Sequence, residues 1–146
     1  MTFRTYLPDA NTTFAAVTVS TATTSYGSAI DLGTTTGMQL DAVLNVATLD
    51  VADGDETYTI GLQLGDSADF DGATVERCSV RLGDSTQLAL NSADSSTGRV
   101  VLGADNVLFG TGYRYARVFV TAAGTTPSIV VSGFLALNGG FGGGAF

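Results

Sequence analysis

The chain has 146 residues, 14 acidic against 6 basic, for a formal net charge of −8; it has one cysteine, no histidine, and arginine at all six basic positions. That is a one-domain length, enough to bury roughly two thirds of the unfolded surface in one core without metals or disulfides. The charge argues against a nucleic-acid partner, because such affinity is built from Lys and Arg neutralising phosphates. The missing imidazole excludes Ser-His-Asp and Cys-His catalysis and any His-containing zinc site.

Residues 1–13 read as an N-terminal arm, since Phe3, Tyr6 and Leu7 follow no period and Pro8 interrupts any strand. Nothing in residues 1–9 has the charged start and apolar centre of a secretion signal. Residues 14–24, rich in Thr, Ala and Val, are β-branched enough to favour strand over helix. Residues 26–37 are turn-rich and lead into a strand from Met38, where Leu40, Ala42, Leu44 and Val46 share a parity against Gln39, Asp41 and Asn45. An acidic loop at residues 50–56 follows, with Asp53, Asp55 and Glu56 expected at a solvated tip.

The clearest alternation comes next: Tyr58, Ile60, Leu62 and Leu64 on one face, and Thr57, Thr59, Gly61 and Gln63 on the other. Later strands are expected at 75–82, about 87–90, 99–102, 113–121 and 128–137, where Ile129, Val131, Leu135 and Leu137 share a face. The hydrophobic period is two throughout, and seven to nine short, regularly spaced strands predict a single all-β antiparallel sandwich over residues 14–137. Residues 138–146 form a glycine-rich C-terminal tail carrying Phe141 and Phe146. Apolar runs never reach the roughly eighteen residues of a membrane helix, so a soluble protein with no membrane partner is expected.

The chemistry-bearing residues are few. Cys78 cannot form an internal disulfide, fits a reducing compartment, and reads as a structural thiol because no histidine is present to activate it. Asp66, Asp69 and Asp71 before Gly72 suggest a calcium loop, but with Gly72 at the invariant glycine the first ligand falls on Ser67 and the closing glutamate on Cys78. No metal, no cofactor and no catalytic residue is assigned, and no carboxylate pair can be named for a glycosidase. Residues 113–120 place Tyr113, Tyr115, Arg117 and Phe119 on one face. Such Arg-Tyr faces are enriched at protein interfaces, although Arg117 could equally snorkel across the sandwich edge to pair with an acid. Phe3, Tyr6, Leu7, Phe141 and Phe146 read as anchors on arms that dock on a neighbouring chain.

Taken together, Ala29-Ile30-Asp31-Leu32-Gly33, residues 38–46, the segment from Tyr58 to Ser67 with its Asp-rich tip, residues 112–118 and the closing strand at 129–137 resemble the small capsid cement, or decoration, proteins of tailed bacteriophages of the Bordetella-phage type. The resemblance covers roughly residues 29–137. It implies a jelly-roll subunit that trimerises and binds the outer surface of the virion's capsid, with the major capsid protein and its own copies as partners, after synthesis in the host cytoplasm. It carries no catalytic residues over. The glycine-rich tail and the lack of lysine depart from the family's pattern. A carbohydrate- or receptor-binding β-sandwich module of a phage fibre is the alternative, and a self-assembling surface-layer or pilus-like subunit the third.

Overall fold

A computed structural model describes residues 12–83 and 96–138. They form an all-β sandwich of eleven strands with no helix, so no helix among the described residues is long and apolar enough to cross a membrane. In chain order the strands are β1 (Thr13–Val19), β2 (Thr24–Tyr26), β3 (Ile30–Asp31), β4 (Gln39–Leu49), β5 (Thr57–Gly65), β6 (Thr74–Gly83), β7 (Gly98–Asp105), β8 (Val107–Leu108), β9 (Thr111–Gly112), β10 (Tyr115–Ala123) and β11 (Ile129–Asn138).

One sheet runs β1-β11-β4-β7, and the other β2-β10-β5-β6 with β3 also paired to β10. All pairings are antiparallel. β8 and β9 form a separate small hairpin. From β4 to β11 the long strands change sheet at each step except in the β5–β6 hairpin, and the first and last described strands lie side by side.

The core lies between the sheets and follows the period of two. Leu40, Ala42, Leu44 and Val46 of β4, Tyr58, Ile60, Leu62 and Leu64 of β5, Ala116, Val118 and Val120 of β10, and Ile129, Val131 and Leu135 of β11 are all buried in one cluster. Each such aliphatic side chain taken out of water contributes about 1.5–3 kcal/mol. Several boundaries differ from the alternation alone, among them β7, which runs on to Asp105 rather than stopping at 102. β4 runs on to Leu49, the last long strand of the second sheet begins at Tyr115 rather than at 113, and the turn-rich segment at 26–37 contains β3. There Ile30 and Leu32 are buried, because a two-residue strand is enough to cap the β10 edge when its side chains reach the core. The strand expected about 87–90 lies outside the described residues.

The acidic loop after β4 is solvated at Asp53, as expected, but not at Glu56, and its acids are tied into the protein. Glu56 is fully buried and accepts the backbone N–H groups of Asp53 at 3.0 Å and Asp55 at 3.3 Å. Asp55 takes both the N–H and the hydroxyl of Thr125, each at 2.8 Å, and Asp53 accepts from the Thr126 hydroxyl at 2.6 Å. Beneath them the Tyr58 hydroxyl donates to the Asp50 carbonyl at 2.6 Å and accepts from Ser128 N–H at 3.0 Å. The loop therefore satisfies its own buried donors and fastens the β10–β11 turn to the end of the core.

At the other end, Asn106 has no exposed surface and clamps three segments. Its Oδ1 accepts from Met38 N–H at 2.7 Å, and its Nδ2 donates to the carbonyls of Thr34 and Tyr113 at 3.1 Å each. Its backbone also bonds to Met38 and Tyr113. Asn106→Ala leaves one buried donor and two acceptors unmet, so a loss of about 2–3 kcal/mol in urea unfolding, with unchanged m, is expected. A loss within a few tenths of a kcal/mol would show that water replaces the amide.

Candidate functional site

The outer face of the second sheet brings together part of the Arg-Tyr row expected from the sequence. With Ala116, Val118 and Val120 turned to the core, Tyr115, Arg117 and Phe119 of β10 face outward, opposite Gly65, Gln63 and Gly61 of β5. The two glycines shape this face. A Cβ on Gly61 would sit 2.6 Å from the Phe119 ring, and one on Gly65 would sit 2.7 Å from the ring of Phe70. Two rings thus lie against bare backbone, and Phe119 is buried on the outside of the sandwich.

Phe70 reaches this position from the β5–β6 turn, where its φ of 58° folds the chain back over β5. Tyr26 approaches from the opposite side, on β2, paired to Phe119. Arg117 lies between them, with its guanidinium carbon 3.8 Å from the centroid of Tyr26 and 4.1 Å from that of Phe70. Its Nε donates to Gln63 Oε1 at 2.7 Å. Burial between the rings pulls its pKa below the ordinary arginine value, with the Tyr26 side chain opposing. An amide and two rings hold this guanidinium, as the planar group stacks and donates at once. Tyr26 remains 49% exposed.

The rest of the row falls elsewhere. Tyr113 precedes β10 and packs against the core, with its backbone bonded to Asn106. Arg114 makes a two-pronged ion pair with Asp31, at 2.8 and 2.9 Å, and lies 5.7 Å from the Tyr115 ring. That guanidinium, and then the Gly33 N–H, hold the Asp31 carboxyl down at about 2. Phe3, Tyr6, Leu7, Phe141 and Phe146 lie outside the described residues.

Cys78 faces the core from β6, half-buried against Leu62 across the strand pair. Burial pushes its thiol pKa up, which suits packing more than nucleophilic attack. In the Asp-rich turn Ser67 donates to Asp71 at 2.8 Å and Asp66 N–H to the Ala73 carbonyl at 3.2 Å, so the turn is closed by its own residues. Among the described residues no group of three or more Cys, Asp or Glu side chains is placed to hold a metal ion.

A cleft of about 920 Å³ opens where the free edges of the two sheets meet, lined by Gly37, Met38, Asp41, Arg77, Ala104 and Val107 among others. Arg77 is the extra residue of a bulge in β6, between the Leu62–Cys78 and Gln63–Glu76 pairs, and it reaches across to Asp105 on β7 at 3.3 Å. Its Nε is buried with no acceptor among the described residues. Neither this cleft nor the Phe70–Arg117 stack is visible in any one segment of sequence. No protein-family model matches the chain, and no curated protein matches its sequence.

Replacing Arg117 by Lys keeps the charge but removes the planar group and its Nε donor, and should cost about 1–2 kcal/mol in chemical unfolding. An unchanged midpoint would show that the stack contributes nothing to folding. Because the Asp31 pKa is lowered on folding, its ion pair contributes fully above the ordinary value of 3.8 and is lost as pH falls through about 2. Asp31→Asn should therefore flatten the thermal stability curve between those two values, relative to wild type, and parallel acid slopes would remove the pair from the account.

Proposed function

We propose that the chain is a structural virion protein, a jelly-roll subunit of the capsid cement class that binds the outside of a tailed-phage head and stabilises the lattice of the major capsid protein. The observation that carries this reading is the strand order. Counting β2 with β3 as one interrupted strand and setting the β8–β9 hairpin aside leaves eight, ordered 1-8-3-6 in one sheet and 2-7-4-5 in the other. We read this order as supporting a double-sheet jelly roll, the architecture of many capsid and lectin domains. The Arg117 stack supports the reading further, because it offers a rigid aromatic and guanidinium surface of the kind enriched at protein interfaces.

The mechanism is mass action. A ligand that binds the assembled lattice and not its dissociated parts stabilises it by about 2.7 kcal/mol per site at a hundredfold excess over Kd. A trimer engages several capsid subunits together, so weak contacts sum through effective concentration. A rigid sandwich suits this role, since little ordering entropy opposes each contact.

The half-exposed Tyr26 ring favours a second reading, a carbohydrate-binding module of a phage fibre, because a flat ring braced from behind is a stacking platform for a sugar. Purified protein added to undecorated tailed-phage heads decides between them. Saturable binding that raises the rupture temperature supports the cement role, and deleting residues 1–9 or 139–146 should lower occupancy while leaving β-type circular dichroism intact. Retention on a glycan array, lost in Tyr26→Ala and without head binding, would replace it with the fibre module.

A further inference from the structure

The β8–β9 hairpin holds an apolar residue where protein chains rarely put one. Val107 pairs with Gly112 and Leu108 with Thr111, which leaves Phe109 and Gly110 as a two-residue turn. Their φ angles are 49° and 79°. Both are positive, as a type I′ turn requires, and the residues suited to its first position are Asn, Asp and Gly. A phenylalanine there is strained, and it gains nothing from burial because 98% of it is exposed. The feature therefore costs the isolated molecule stability, and its benefit has to come from a contact outside the described fold.

The hairpin is a firm mount. Asn106, fully buried, ties its base to the segments carrying Thr34, Met38 and Tyr113. From Asn106 to Tyr113 no residue is charged. In a molecule with a net charge of −8 this is an element that can approach a second copy without adding to the repulsion.

A receptor for it lies at its own root. The cleft of about 920 Å³ begins at Val107, the first residue of the hairpin; Gly37, Met38 and Ala104 give it an apolar wall, and Gln39, Asp41, Arg77 and Asp105 line much of the rest. That is roughly the upper range of sites that enclose small organic ligands, ample for a phenyl ring and its turn. Phe109 does not fill it, being almost wholly exposed.

We propose that the Phe109 hairpin of one copy inserts into the Gly37–Met38–Ala104–Val107 cleft of another. Knob and hole adjoin on one surface, so two copies related by a two-fold axis can exchange hairpins reciprocally, while any other rotation gives a head-to-tail contact that closes into a ring when the angle permits. This deepens the self-association named in the proposed function and is tested without any capsid, so its failure leaves head binding to be judged by itself.

Two substitutions separate the halves of the contact. Phe109→Asn places the preferred residue of the turn at its tip, so it should hold or raise Tm while weakening self-association by about tenfold or more in sedimentation equilibrium. Gly37→Trp adds an indole at the cleft wall, from a position where a Cβ meets no atom within 4 Å, so it should obstruct entry and have the same effect on association with Tm retained. Mixing the two variants restores one intact knob and one intact hole. A one-to-one complex should form from partners that are each monomeric alone. The proposal is overturned if wild type remains monomeric at the highest soluble concentration, if either variant associates as wild type does, or if the mixture forms no complex.

Discussion

The molecule depends on two opposed aliphatic rows, Leu40-Ala42-Leu44-Val46 on β4 and Tyr58-Ile60-Leu62-Leu64 on β5, which place the two sheets face to face. Hydrophobic burial is non-directional, so these rows could have been satisfied by many pairings. What makes one arrangement unique is the polar closure at the ends. Tyr58 carries a hydroxyl at the margin of the core, and its bonds to the backbone of Asp50 and Ser128 hold the β4–β5 and β10–β11 connections at one height. Glu56 and Asn106 extend the same logic. Each is wholly buried, each has its oxygen atoms bonded to backbone donors, and each joins a loop to the sandwich.

With both ends closed, the outer face of the second sheet becomes a platform. Gly61 and Gly65 remove side chains from β5, Phe119 and Phe70 occupy the space, and Arg117 stacks where Tyr26 and Phe70 converge. The result is an aromatic cluster on the outside of a β-sandwich. Its Arg117 is both a structural brace and part of the exposed surface, so folding and binding effects of substitutions there are coupled. Phe109 is the contrasting case. It braces nothing within the described fold, and its cost and its benefit belong to different states of the protein.

The charge distribution points in the same direction. Asp53, Asp55 and Glu56 are engaged by N–H and hydroxyl donors at one end of the sandwich, and Asp31 is paired with Arg114. Four of the fourteen acids are thus engaged in holding loops in place. The uncharged β8–β9 hairpin is then a natural place for close approach by another protein surface.

The all-β class and the inward faces of β4, β5 and β11 were legible in the sequence, because alternation with a period of two is a local property that burial of one sheet face imposes. The separation of Tyr113 from Tyr115 was not. It depends on Asn106 pulling Tyr113 out of the strand, a bond between residues that local pattern does not connect. Glu56 read as solvated for the same reason, and the ties of Asp55 and Asp53 to the distant Thr125 and Thr126 were equally hidden, since acids next to glycine look alike whatever their oxygens meet. Phe109-Gly110 did carry a signal, a bulky residue before glycine in a short hairpin, but its exposure and the adjoining cleft exist only once β4, β6 and β7 are assembled. Local alternation determined which residues face inward; long-range packing decided which outward-facing residues meet, because that depends on the order in which strands far apart in the chain become neighbours.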